Sequence, residues 1–174
     1  MTVIPERTNQ RIITPALRLL PARMDSLEAR VMMLAIGLQE SRLVHRYQVI
    51  DRARPEVKGP ARGLWQFERG GGVRGVLNHP ASKRLALDVC AIRGVAPLQT
   101  RAWEALEHDD LLAACFARLL LWTDTRPLPA LGRGGEAWEY YLRNWRPGKP
   151  HARTWNGYYG QALAVIAGGN RACG

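Results

Sequence analysis

The chain has 174 residues, 47% hydrophobic and 23% charged, which suits one folded domain with a real core and excludes a disordered polyelectrolyte. Its 25 Lys and Arg against 15 Asp and Glu give a net charge of +10. That balance favours an anionic partner, whether nucleic acid, membrane surface or wall polymer, although the preference for Arg over Lys equally fits a GC-rich coding genome.

Residues 1–23 carry Pro5, Pro15 and Pro21 with basic residues between them. They read as a loosely packed N-terminal arm, with a short helical turn near Ala16–Leu20. The first long helix is expected from Asp25, where Asp25-Ser26-Leu27-Glu28 places an N-cap acid three residues before a Glu. Leu27, Val31, Leu34, Ala35 and Leu38 then recur at helical spacing, and Glu40-Ser41 closes the run. Residues 42–62 read as a polar loop, and Gly63–Phe67 as a short strand or turn. Gly70-Gly71-Gly72 is a flexible break.

Further helices are expected over Ser82–Ile92, Thr100–Glu107 (capped by Thr100), Asp109–Trp122 and Glu136–Trp145. The third of these is apolar enough to be deeply buried, and Asp109 and Asp110 suit its positive N-terminal end. A last helix from Thr154 or Trp155 to Ala167 is expected to stop at Gly168-Gly169, leaving 169–174 as a disordered tail. The sum is a mainly α single domain over 24–168, with at most a small β-hairpin near 45–67.

Cys90, Cys115 and Cys173 are widely spaced and odd in number, so neither a zinc ribbon nor a disulfide framework is expected. Cys90 and Cys115 lie in apolar helical patterns and read as buried thiols. His45, His79, His108 and His151 have no metal-ligand spacing, and Gly70–Gly72 lacks the Lys-Ser/Thr of a phosphate loop, so no metal or cofactor is expected. No run approaches the ~20 apolar residues of a membrane span. The N-terminus has no basic-then-apolar leader, so the expectation is synthesis in the cytoplasm.

Glu40 is the candidate for chemistry. A carboxyl at the end of a buried helix can hold its proton near neutral pH, because desolvation raises its pKa, and glycosidic cleavage needs a proton on the leaving oxygen. The plain alternative is a solvated Glu paired with Arg42 or Arg46. Gln66 presents an amide suited to sugar hydroxyls or to a turn bond. Ser41 is placed to bond near the carboxylate or to its own helix. Trp65 suits stacking on a sugar ring or burial in the core. Tyr141 and Asn144 are three apart and expected to share a face, with Tyr140 beside them. A two-carboxylate glycosidase needs a second acid ~5–9 Å from the first. Asp51 is the best placed by sequence, with Glu56 and Glu68 behind it.

Ala35-Ile36-Gly37-Leu38-Gln39-Glu40-Ser41 followed by Gly63-Leu64-Trp65-Gln66-Phe67 resembles the lysozyme-like superfamily, in its soluble lytic transglycosylase and goose-type lysozyme branch. The resemblance runs in order over roughly residues 27–165, with the first two motifs its specific part. The family's later Ala-Tyr-Asn element has a nearest counterpart in Ala137–Asn144 that does not match cleanly. Phe67-Glu68-Arg69-Gly70-Gly71-Gly72 also departs from the family pattern. The resemblance implies a lysozyme-like fold, Glu40 as general acid/base, and Ser41, Trp65, Gln66, Tyr140, Tyr141 and Asn144 against substrate.

It further implies cleavage of the β-1,4 bond between N-acetylmuramic acid and N-acetylglucosamine in peptidoglycan glycan strands, by lytic transglycosylation or hydrolysis. A small leaderless enzyme of this kind resembles a bacteriophage lysis or virion-associated enzyme, delivered to the wall by a virion or a lysis-system partner. The competing expectation, resting on the +10 charge, is a noncatalytic basic protein of a phage particle, structural or binding nucleic acid or cell wall. Its binding to nucleic acid would depend steeply on salt. No helix-turn-helix or basic-aromatic RNA module is readable in its favour.

Overall fold

The computed structural model describes residues 3–51, 53–54 and 56–171. It is mainly helical with one small antiparallel sheet. Helices α1 (Val3–Thr8) and α2 (Thr14–Leu17) flank a wide π-helical turn, Asn9–Ile13. They are followed by α3 (Leu27–Ser41), then strands β1 (Tyr47–Val49), β2 (Lys58–Arg62) and β3 (Phe67–Glu68). A second π turn, Arg69–Val73, runs into α4 (Arg74–Asn78). The chain ends through α5 (Lys83–Ile92), α6 (Gln99–Ala105), α7 (Asp110–Trp122), α8 (Gly134–Trp145) and α9 (Ala152–Arg171).

The N-terminal segment is not a loose arm. Ile13, Ala16, Leu17 and Leu20 are buried in the core against α3 and α7. The prolines that suggested an arm sit where a helix tolerates them. Pro5 lies in the first turn of α1, where an N–H needs no intrahelical partner, and Pro15 lies in α2 directly after the π turn. The domain therefore begins before residue 24.

The N-cap of α3 is Ser26, whose hydroxyl accepts from Ala29 N at 3.2 Å. Asp25 instead forms a two-pronged ion pair with Arg30, at 2.6 and 2.7 Å. Thr100 falls inside α6, whose N-cap is Leu98. Asp109 does cap α7, accepting from Leu112 N at 3.0 Å. Gly70–Gly72 is helical rather than a break, because Gly72 lets the turn lie against Phe67. A Cβ there would come within 2.6 Å of that ring. Gly168-Gly169 do not stop α9, which continues to Arg171, so the tail expected from residue 169 is helical as far as it is described. Cys90 and Cys115 are buried free thiols, and burial pushes them up to about 11 and about 12. Cys173 lies outside the described residues.

The expected loop at 42–62 carries two of three strands. Tyr47 pairs with Arg62 and Val49 with Lys58, and Ala61 pairs with Glu68, in the order β1-β2-β3. Buried Glu107 anchors this sheet to the helices through ion pairs with Lys58 and, at 2.9 Å, Arg62. Arg62 also lies over the Trp103 ring at 4.3 Å. Helix α7 is central, with ten of its residues from Leu112 to Leu121 buried, and α3 packs most extensively on α9. That packing sets the C-terminal end of α3, with Glu40, between the sheet and the start of α9. Among the described residues, no helix is long and apolar enough to cross a membrane.

Candidate active site

Immediately after Glu40-Ser41 the chain turns through two left-handed residues, Arg42 (φ 58°) and Leu43 (φ 57°). Such conformations cost a non-glycine residue ~1–2 kcal/mol and persist only where the surroundings enforce them. Here the enforcing bonds are visible. Arg42 N and Leu43 N donate to Leu38 O and Gly37 O, at 3.0 and 3.2 Å. Leu43 turns back over Gly37, where an added Cβ would sit 2.3 Å from its Cδ2. Ser41 completes the turn from within. Its buried hydroxyl donates to Leu64 O at 2.6 Å and accepts from Leu43 N at 3.1 Å. Ser41 thus ties the helix end to the Gly63–Phe67 turn, its hydroxyl committed to backbone partners at the edge of the cleft.

The Gly63–Phe67 turn is held from both sides. Trp65 is fully buried, with Nε1 donating to Met33 O at 2.8 Å, and its own carbonyl accepts from Trp145 Nε1 at 3.0 Å. A ring enclosed in this way cannot stack on a sugar. Its neighbour Gln66 is left-handed (φ 50°) and half-buried, with Nε2 donating to Gly63 O at 2.9 Å. Gln66 lines the same cleft as Glu40.

That cleft has a volume of about 1160 Å³. Its walls come from the end of α3, from β1 and from Pro150–Thr154 with Tyr158. Gln39 joins two walls, donating to His151 O at 3.1 Å and accepting from Thr154 Oγ1 at 3.0 Å. Arg42, Arg153, His45 and His151 give the rim a basic lining, and Tyr47 and Tyr158 supply half-exposed rings. Among the described residues lining it, Glu40 is the one carboxylate.

Glu40 is half-buried, and its Oε1 accepts from the Tyr141 hydroxyl at 2.6 Å. Desolvation raises its pKa from 4.5 to about 7. The Tyr141 bond opposes that rise and the charge of Glu68 adds to it. Tyr141 is itself buried, and its pKa is pushed strongly upward by desolvation and by Glu40, so it stays a donor. Its ring stacks on Trp155 at 5.1 Å and 16° and meets Trp138 at 5.3 Å. The aromatic faces of α8 and α9 therefore fix the hydroxyl that fixes Glu40.

Other expected site residues lie elsewhere. Tyr140 is buried on another side of α8, its hydroxyl donating to Leu121 O at 2.9 Å. Asn144 donates to Asp124 Oδ2 at 2.8 Å and to Tyr140 O at 2.9 Å, so it does not share Tyr141's surroundings. Both serve the α7–α8 connection. Asp51 does not line the cleft. It is paired with Arg54 at 2.9 Å, which holds its carboxyl below the usual range. The second acid whose charge Glu40 feels is Glu68, at the end of β3.

Tyr47, Gln48, Tyr158 and the basic rim were missed as site residues because 42–62 read as a polar loop with at most a small hairpin, and α9 as an ordinary terminal helix. Gln48 borders the cleft, but its Oε1 is buried without a partner beside Gly59 of β2. Chemically, the arrangement offers a proton donor near neutral pH, amides able to bond hydroxyl or acetamido groups, and cations beside an open groove. No protein-family model, curated protein or solved structure matches the chain.

Proposed function

We propose that the protein is a peptidoglycan-cleaving glycosidase in which Glu40 is the general acid/base. The observation that carries this reading is the burial of Glu40 beside Tyr141, within a cleft large enough for several sugar rings, with a pKa raised to about 7. A carboxyl that keeps its proton at neutral pH can donate it to the oxygen leaving the muramyl C1. The C1–O bond breaks and the glucosamine departs with its 4-hydroxyl restored. The Glu40 carboxylate then takes the proton of the muramyl C6 hydroxyl as that oxygen bonds to C1, giving a 1,6-anhydro product.

This single-acid route is favoured over hydrolysis by a paired carboxylate, because Asp51 is turned to Arg54 and Glu40 is the one carboxylate in the described cleft lining. Gln66 is assigned to hydroxyl or acetamido groups of the glycan. The cations Arg42 and Arg153 at the rim suit carboxylates carried by peptide stems.

Purified peptidoglycan digested with wild type and Glu40→Gln, with soluble products weighed by mass spectrometry, tests the reading. Anhydro-muramyl products from wild type alone are expected. Reducing-end products would move the mechanism to hydrolysis, with Glu68 the next acid to replace. Release of nothing by either protein would overturn the enzyme reading in favour of a basic wall- or nucleic-acid-binding protein.

A further inference from the structure

Arg118 is the most buried charged side chain among the described residues, 2% exposed in the middle of α7. Its Nε donates to Met24 O at 2.7 Å and its guanidinium lies over the Trp122 ring at 5.1 Å. Its Nη1 is buried with no partner. Glu107, the other buried charge, shows the usual solution, being paired with both Lys58 and Arg62. No described carboxylate is ion-paired with Arg118. A buried cation in that position is poorly compensated, and desolvation pushes its pKa down to about 10.

Arg118 lines a second cavity, of about 470 Å³. Arg23 and Arg126 line it too, and the Arg23 guanidinium lies 5.7 Å from the centre of the same Trp122 ring. Two acids face the cavity. Asp124 is already bonded to Arg143, Asn144 and Arg126 N, which leaves Glu28 as the opposing charge. The cavity is separate from the cleft. Glu28 and Glu40 lie at opposite ends of α3, ~18 Å apart at 1.5 Å per residue.

We propose that this cavity is an oxyanion site, in which a carboxylate or phosphate group takes the open donors of Arg118 beside Trp122, with Arg23 and Arg126 at its mouth. A guanidinium presents paired N–H groups matched to the two oxygens of either anion, and the indole face shields the contact from water. The site is independent of the proposed glycosidase chemistry, and its test needs no activity.

The whole protein, labelled with 15N, is titrated with sodium phosphate, with sodium acetate and with sodium chloride at matched ionic strength. The Arg118 Nε–H and Trp122 indole N–H signals are followed. Saturable shifts are expected with phosphate, acetate or both, and none with chloride. Acetate alone identifies a carboxylate site, phosphate alone a phosphate site, and both a general oxyanion site. Arg118→Met is expected to weaken binding at least about tenfold, the worth of charge-assisted hydrogen bonds. Arg23→Ala and Arg126→Ala, exposed positions that leave the core intact, should each weaken it roughly two- to fivefold. They decide the matter even if Arg118→Met does not fold. Absence of a saturable shift, or one that neither rim substitution changes, would overturn the site and leave the Arg118 Nη1 to a buried water.

Discussion

The Tyr141 hydroxyl meets Glu40 Oε1 at 2.6 Å, across 101 residues of sequence, and is the direct bond holding that carboxyl in place. It opposes the burial that raises the Glu40 pKa, and with a smaller upward push from the charge of Glu68 these effects set the value of about 7. Tyr141→Phe removes the opposing effect and leaves the burial. A hydrogen bond to a charged group is worth ~1.5–3 kcal/mol, or roughly one to two pKa units. The Glu40 pKa is expected to rise by about one unit, and its carboxylate, once formed, to be less well oriented as a base. Carbon-13 NMR of the Glu side chains would read the shift. A Glu40 titration unchanged in Tyr141→Phe would show that the bond does not tune the acid.

The pH dependence follows from the same value. In the proposed mechanism the free enzyme needs Glu40 protonated, so kcat/KM should fall as pH rises through about 7. A profile flat from pH 6 to 9 with peptidoglycan as substrate would rule Glu40 out as the acid.

Stability should follow the same titration. The folded pKa is raised from 4.5 to about 7, so the folded chain binds the proton more tightly than the unfolded one. This contribution is fully present below pH 4.5 and is lost as pH rises to about 7. The shift corresponds to ~3 kcal/mol at most. Glu40→Gln should therefore unfold at higher denaturant than wild type at pH 8, with the gap closing near pH 4. An equal gap at both values would mean that Glu40 does not titrate as described.

The helices were readable from residues, because they depend on local pattern: the apolar spacing from Leu27 to Leu38 placed α3. The placing of Gln66 against substrate came from the family resemblance of the Glu40–Ser41 and Gly63–Phe67 segments, and Gln66 does line the cleft with Glu40. What failed depends on which way a side chain turns. Tyr140 and Tyr141 are adjacent in sequence, but successive helical residues point ~100° apart, so one reaches Leu121 O and the other Glu40. Sequence distance favoured Asp51 as a second acid, whereas the turn from β2 to β3 brings Glu68 within electrostatic reach. Trp65 sits in a motif position yet faces inward, and the Ser41 hydroxyl at the cleft edge is committed to Leu64 O, since their polar atoms stabilise the Gly63–Phe67 turn.

That inward orientation makes a prediction separating structure from binding. Trp65→Ala removes a fully buried ring and the Nε1 bond to Met33 O. Truncation of a buried aromatic costs ~3–5 kcal/mol. Ser41→Ala should cost less, ~1–3 kcal/mol, because Leu64 O loses its 2.6 Å donor in a buried site. Gln66→Ala, at a half-buried residue on the cleft wall, should alter stability by under ~1 kcal/mol. Alanine keeps the Cβ that makes φ 50° costly, so what is lost is the pair of part-exposed bonds from Nε2 to Gly63 O and His45 O. Glycan affinity should show the opposite order, with KM raised by Gln66→Ala and near wild type in whatever fraction of Trp65→Ala and Ser41→Ala remains folded. Urea denaturation with peptidoglycan-fragment binding on the same three variants checks both orders. Loss of fragment affinity in a fully folded Trp65→Phe protein would put the indole back against the sugar.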